Sequence, residues 1–210
     1  QVFSQRGEGW EIGCLAEICQ INPPKREARE QLLEDDFVSF VPMNCLGINQ
    51  IHLLLNNEKK LKEVSGSYTY FAENDVLLAK ITPCFENGKL GLARKLKNGV
   101  GFGSSEFIVF RCGEAIIPEY LYHFLSRKSF VAEGKPLMTG AVGHKRVSKE
   151  FVENYSVPYP NIDEQKNIVC KLNDLKSEVN RIEKLYESKM KLVDELKKSI
   201  LQKAFSGELT

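Results

Sequence analysis

The chain has 210 residues, 42% of them hydrophobic and 27% charged, with a net charge of +1 from 29 basic and 28 acidic side chains. This length holds one ordinary domain plus an extension, and the composition is that of a folded, soluble protein. No run of about 18 apolar residues occurs, so no membrane-spanning helix is expected. Gln1–Trp10 lacks the layout of a secretory signal, and the chain lacks an initiator Met. A cytoplasmic protein is expected, as a fragment or a processed product. Six cysteines and three histidines are scattered without a CxxC pair, which predicts reduced, mostly buried thiols and no zinc site.

From Gln1 to Asp36 acidic residues outnumber basic ones, eight to four. Asn22-Pro23-Pro24-Lys25 resembles the tetrapeptide with which amino-methyltransferases hold a base, but Lys25 stands where an aromatic residue would stack. No glycine-rich turn for S-adenosylmethionine accompanies it, so a loop is predicted. Further on, Gly and Pro interrupt the chain at short intervals. Between them lie runs rich in Val, Ile and Phe at Phe37–Val41, Asp75–Ile81 and Glu106–Arg111, which predict strands. Asn87-Gly88 predicts a hairpin turn before Lys89. Tyr120, Leu121, Phe124 and Leu125 predict a helix over Pro118–Phe130. Two segments are basic: six basic against two acidic residues over Lys80–Arg111, and six against Glu133 alone over Arg127–Lys149. Such segments fit a local polyanion-facing surface and an ordinary solvated face about equally.

After Pro160 the punctuation stops. Neither Gly nor Pro occurs from Asp163 to Phe205. Apolar residues recur at Ile168, Leu172, Leu175, Val179, Ile182 and Tyr186, in the alternating steps of a coiled-coil seam. An extra step of four reaches Met190, as in a stutter, and Val193, Leu196, Ile200 and Ala204 resume the pattern. Asn161 with Glu164 fits a capping box, and Gly207 a C-terminal cap. The stripe needs a second helix, from a twin domain or another chain. The expected fold class is α+β: a globular domain over residues 1–160, with a small curved, barrel-like sheet and flanking helices, then one long helix over residues 161–210 that forms a coiled coil.

Enzymatic motifs are missing. Asp163-Glu164-Gln165-Lys166 contains a nuclease-like Glu-x-Lys, but it opens the predicted helix, where acidic residues suit the N-terminus. GxSxG, HExxH and the P-loop do not occur. A binding module without cofactor is the better class.

Five segments carry a resemblance that covers nearly the whole chain, in family order. They are Tyr70–Lys89 (YFAENDVLLAKITPCFENGK), Gly103–Phe107 (GSSEF), Met138–Val147 (MTGAVGHKRV), Pro158–Gln165 and Ser199–Leu209 (SILQKAFSGEL). Together they resemble the specificity subunits of Type I restriction-modification systems. The resemblance implies one target-recognition domain and one conserved helix, hence half of a two-domain subunit, either a fragment or a natural short version that homodimerises. It further implies that the domain reads one half of a split duplex sequence. The helix would set half-site spacing and dock modification subunits, which supply methylation and, through them, meet restriction subunits.

Which residues touch DNA follows from chemistry rather than from the resemblance. Phosphate contacts need Lys, Arg and exposed N–H groups, and base readout needs donors that enter a groove. Gly140, His144, Lys145 and Arg146, in the loop Thr139–Arg146, rank first. Lys80 and Thr82 follow, then Lys89, Ser104 and Ser105. Ile168, Leu172, Leu175, Val179, Ile182, Tyr186, Val193 and Ile200 form the dimerising face of the helix. The alternatives are a coiled-coil adaptor whose α+β domain binds protein, and a recognition domain cut from a fused restriction-methylation enzyme.

Overall fold

A computed structural model describes residues 7 and 9–207. These divide into a unit running to Val169 and another from Cys170 onward. The first unit opens with strand β1 (Glu11–Cys14), helix α1 (Leu15–Ile18), β2 (Cys19–Ile21) and α2 (Arg26–Gln31). Next come β3 (Phe37–Val41), β4 (Glu58–Lys60), α3 (Leu61–Val64), β5 (Thr69–Ala72) and β6 (Val76–Ala79). After them run β7 (Leu90–Leu92), β8 (Val100–Gly103), β9 (Phe107–Cys112), α4 (Pro118–Leu125), α5 (Lys128–Gly134), α6 (Lys149–Glu153) and β10 (Ser156–Tyr159). The last element, α7, spans Ile162–Ser206.

The class is α+β. Its strands form two four-stranded sheets, ordered β2-β9-β6-β7 and β4-β3-β8-β5, and a β1–β10 ribbon. Among the described residues no sheet closes into a barrel. The first sheet is antiparallel throughout, whereas β3 and β8 pair in parallel in the second. All four residues of β6 are buried, which is why this strand reads as an unbroken apolar run rather than an alternating one. Val41 and Phe71 from one sheet pack with Leu77, Ala79, Phe107 and Val109 from the other in a single apolar cluster. Leu46 and Leu53 join it from the long segment between β3 and β4, which takes the place of regular structure there.

Several sequence expectations change in detail: the strands predicted over Asp75–Ile81 and Glu106–Arg111 become Val76–Ala79 and Phe107–Cys112. The helix predicted over Pro118–Phe130 breaks after Leu125, and α5 starts at Lys128. The Arg127 guanidinium turns back to the Phe124 carbonyl at 2.8 Å and lies over the Phe124 ring, tying the break down. Asn87-Gly88 does not make a two-residue hairpin. Leu78 and Leu90 are the last paired residues of β6 and β7, and the connection between them is a series of turns. Gly88 supplies a left-handed φ of 69° in it.

The start of α7 is built into the first unit. The Asn161 side chain accepts the Glu164 amide at 3.0 Å, as an N-cap should. The second half of the expected capping box is absent, because the Glu164 carboxylate instead accepts the Trp10 indole N–H at 3.1 Å. Gln165 is fully buried; its amide donates to Ala115 and Pro160 and its oxygen accepts the Ile117 N–H. Ile168 and Val169 are buried as well. In the second unit α7 continues to Ser206 and ends at Gly207, whose φ is 76°. There the stripe residues Leu175, Val179, Ile182, Tyr186, Val193 and Ile200 are exposed and Leu172 is half-buried. No helix among the described residues is long and apolar enough to cross a membrane.

Candidate nucleic-acid interface

Most of the residues singled out for DNA binding meet at one place. Thr139 and Arg146 bridge each other, with N–H···O distances of 3.0 and 2.8 Å, so residues 139–146 form a small hairpin. Its return arm lies along the chain leaving β6. The Thr82 amide donates to the Lys145 carbonyl and the Val147 amide to the Lys80 carbonyl, both at 2.9 Å. The Lys80 ammonium donates to the Ser105 carbonyl at 2.9 Å, drawing in the turn between β8 and β9. Within that turn the Ser104 hydroxyl accepts the Glu106 amide at 3.2 Å. Lys80, Thr82, Ser104, Ser105, Gly140, His144, Lys145 and Arg146 thus belong to one hydrogen-bonded neighbourhood.

Lys89 stands apart. Its ammonium donates to the Met43 carbonyl at 2.9 Å, holding the start of the long segment between β3 and β4. This bond helps to position that segment.

Behind the hairpin sits an aromatic cluster. Phe130 of α5 lies 5.8 Å from Phe85, 5.6 Å from Phe151 of α6 and 4.8 Å from Tyr155, measured between ring centroids. Residues on both sides of the hairpin are therefore packed together, and Phe130 is fully buried. The hairpin itself is exposed from Thr139 to Arg146. It is a surface loop carried on a packed, hydrogen-bonded base, the arrangement in which loops perform recognition.

The residue that sequence reasoning missed is Glu106. Its carboxylate accepts both forks of Arg146, from Nε at 2.9 Å and Nη2 at 2.7 Å. Arg146 also donates to the His144 carbonyl at 3.2 Å. This bidentate bond, with the neighbouring positive charge of Lys80, holds the Glu106 carboxyl below its ordinary range. The same bond raises Arg146. A carboxylate in a basic segment reads as a diluting charge; only its place opposite Arg146, forty residues on, makes it an anchor.

The basic segments themselves are partly neutralised by such pairings. At least six of their twelve basic residues are in ion pairs: Arg94 with Glu119, Lys97 with Glu58, Arg111 with Glu27 and Asp75, Lys135 with Glu86, Arg146 with Glu106, and Lys149 with Glu153. Lys145, in contrast, is exposed at the hairpin. Asn22-Pro23-Pro24-Lys25 is structural: Asn22 Oδ1 accepts the Val109 amide at 3.0 Å and Lys25 donates to the Gly66 carbonyl at 2.6 Å. No group of three or more His, Cys, Asp or Glu suited to a metal ion occurs among the described residues, and the six cysteines are free thiols.

Gly140 is required by the hairpin. Its φ is 125°, and a Cβ there would lie 2.9 Å from the His144 carbonyl oxygen. Gly140→Ala is expected to open the Thr139–Arg146 bridge at a local cost on the order of 1–3 kcal/mol. Hydrogen exchange at the Arg146 amide should quicken while global stability stays nearly constant. Unchanged protection of that amide would rule the prediction out.

A family model described as Type I restriction modification DNA specificity domain matches residues 7–190. The chain is 40% identical over 163 residues to the Type I restriction enzyme EcoEI specificity subunit of Escherichia coli, covering 77% of this chain and 27% of that protein. It is 36% identical over 182 residues to the EcoAI specificity subunit of the same species, covering 84% of this chain and 29% of that one. The chain thus spans under a third of the length of these relatives. In fold it is similar to the HsdS subunit from Thermoanaerobacter tengcongensis, with a TM-score of 0.67 and 19% identity over 85% of this chain and 45% of that one. It is also similar to a chain from a structural study of complex assembly and conformational transition in the type I R-M system. There the TM-score is 0.68 and the identity 19%, over 96% of this chain and 47% of the other.

Proposed function

We propose, for a chain that belongs to the Type I restriction modification DNA specificity domain family, that its globular part recognises one half of a split duplex sequence and has no catalytic centre of its own. In this reading residues 1–160 are the target-recognition domain and residues 161–210 the conserved helix. The exposed stripe of that helix pairs with a second copy, so that two recognition domains with two-fold symmetry face two half-sites at a set spacing. Modification subunits dock on the helix pair and bring the methyltransferase, and through them restriction subunits join. The relatives named above are specificity subunits, which supports this division of labour. No cofactor is required, and the site of action is the cytoplasm.

The observation that carries the reading is the exposed hairpin of residues 139–146, tied by backbone bonds to Lys80 and Thr82 and by Arg146 to Glu106. It presents Lys145 and His144 on a hydrogen-bonded base. A two-stranded ribbon of this kind is narrow enough for the major groove, and Lys145, Ser104 and Ser105 at its foot suit phosphates.

The test is duplex binding over a salt series by fluorescence anisotropy. Binding should weaken steeply with salt, and Lys145→Ala with Arg146→Ala should weaken it further. Removal of one side chain from a phosphate lowers the salt slope by about 0.9. The double variant should therefore drop it by about 2 if both side chains reach phosphate, or about 1 if Arg146 stays with Glu106. Equal affinity and slope in a folded double variant would reject the hairpin as the interface. Salt-insensitive binding by the wild type would favour the protein-binding adaptor.

A further inference from the structure

The hairpin carries one side chain that neither phosphate attraction nor folding explains. Val142 is 93% exposed, between Ala141 and Gly143 at the very tip. Exposed apolar residues are common, and one alone means little. Here, however, the conformation that exposes it is specified by several independent bonds. The His144 amide donates to the Ala141 carbonyl at 2.9 Å, closing a four-residue turn with Val142 and Gly143 at its centre. Gly143 has φ +80°, the value that a type II turn demands at its third position and that glycine supplies without strain. Gly140, at φ +125°, sets the bend on the other side. Below the turn come the Thr139–Arg146 bridge, the bonds to Lys80 and Thr82, and the Arg146–Glu106 fork. Val142 itself is β-branched, with few rotamers to give up on binding. The turn thus holds a stiff apolar group out in water, with His144, Lys145 and Arg146 close behind it.

We propose that Val142 is a specificity-determining residue that packs on the C5-methyl group of a thymine in the major groove, while the basic residues behind it hold the hairpin against the phosphates. The inference rests on the DNA-reading function above and adds which base edge the hairpin tip prefers. The chemistry is one of shape and polarity. In the major groove thymine offers the one apolar group among the base edges, and an aliphatic tip without donors or acceptors has nothing else there to satisfy. A hydrogen-bonding side chain at the tip would select guanine or adenine instead.

The experiment uses the whole chain. A bound sequence is first selected from a pool of randomised duplexes. Each thymine in it is then replaced, one at a time, by deoxyuridine, which lacks only the C5-methyl. For the wild type, one position should show an affinity reduced about fourfold, the factor carried by burial of one methyl-sized group. Val142→Ala should weaken binding to the thymine duplex by a similar factor, with no further reduction on the uracil duplex at that position. Val142→Asn, which puts a donor and an acceptor in place of the methyls, should lose the thymine preference in a repeated selection. Additive effects of Val142→Ala and uracil, uniform indifference to uracil, or a selected site without A·T pairs would each overturn the proposal while DNA reading stands. Failure to select any sequence, with no salt-dependent duplex binding, would overturn both.

Discussion

Arg111→Ala should destabilise the globular unit by about 3–5 kcal/mol, the usual cost of leaving a buried carboxylate without its partner. Asp75, only 1% exposed, precedes β6 and receives Arg111 Nε and Nη2 at 2.9 Å each. The third nitrogen of Arg111 bonds Glu27 of α2, which also accepts the Tyr70 hydroxyl of β5 at 3.3 Å. One guanidinium on β9 therefore links the first sheet to α2 and to a strand of the second sheet. Burial pushes the Asp75 carboxyl up, opposed by the Arg111 fork and by the Ala72 amide at 2.7 Å. Removing the fork leaves the burial cost without its main compensation. For a protein of this size the change corresponds to a fall in melting temperature of roughly 10 °C. Chemical denaturation measures it directly. Arg111→Lys keeps the charge but not the planar fork, and should fall between wild type and alanine. A change below about 0.5 kcal/mol in the alanine variant would show that the network contributes nothing beyond an ordinary surface pair.

The proposed helix pairing predicts the second large effect. Val179 and Ile182 are 51% and 42% exposed in the single chain, on a stripe that continues to Ile200. In a paired seam they would face apolar side chains of the second helix. Val179→Asp or Ile182→Asp would set an unpaired carboxylate from each copy into that seam, at several kcal/mol. The dissociation constant of the homodimer should rise roughly a hundredfold or more. Sedimentation equilibrium over a wide concentration range reads this out. Val179→Leu, which keeps the seam apolar, should remain associated. Wild-type chain that sediments as a monomer at high concentration would reject self-pairing and leave a twin domain or another subunit as the owner of the second helix.

The two effects differ in how far the sequence announces them. The seam is visible from residue spacing because a helix repeats locally: positions three and four apart share a face whatever the rest of the chain does. The same holds for Asn161 as a cap and for strands such as Phe37–Val41, which the structure reproduces residue for residue. The Arg111 network spans 84 residues from Glu27 to Arg111, and 36 from Asp75. On the strand side Asp75 has no visible partner in sequence, because the partner is set by the register of β6 on β9, where Val76 lies opposite Phe110.

The candidate interface shows the same division. Donors, small residues and glycines in Met138–Val147 mark a loop fit for close approach, and that much is local chemistry. What the loop presents was decided elsewhere in the fold. Glu106 captures Arg146 across forty residues, Lys80 is turned to the Ser105 carbonyl, and Lys89 is drawn away to Met43. At least five of the twelve basic residues that make two segments look cationic are matched by carboxylates from distant parts of the chain, and Lys149 by Glu153 one helical turn away. Counting charges along a chain records composition, whereas free charge depends on which side chains the sheets bring within about 4 Å. Helical period, caps, strand runs and the likeness of five segments to one family were therefore fixed by residue order. Val142 stands at the tip through a local turn, whereas which basic groups stay free beside it was fixed only by tertiary pairing.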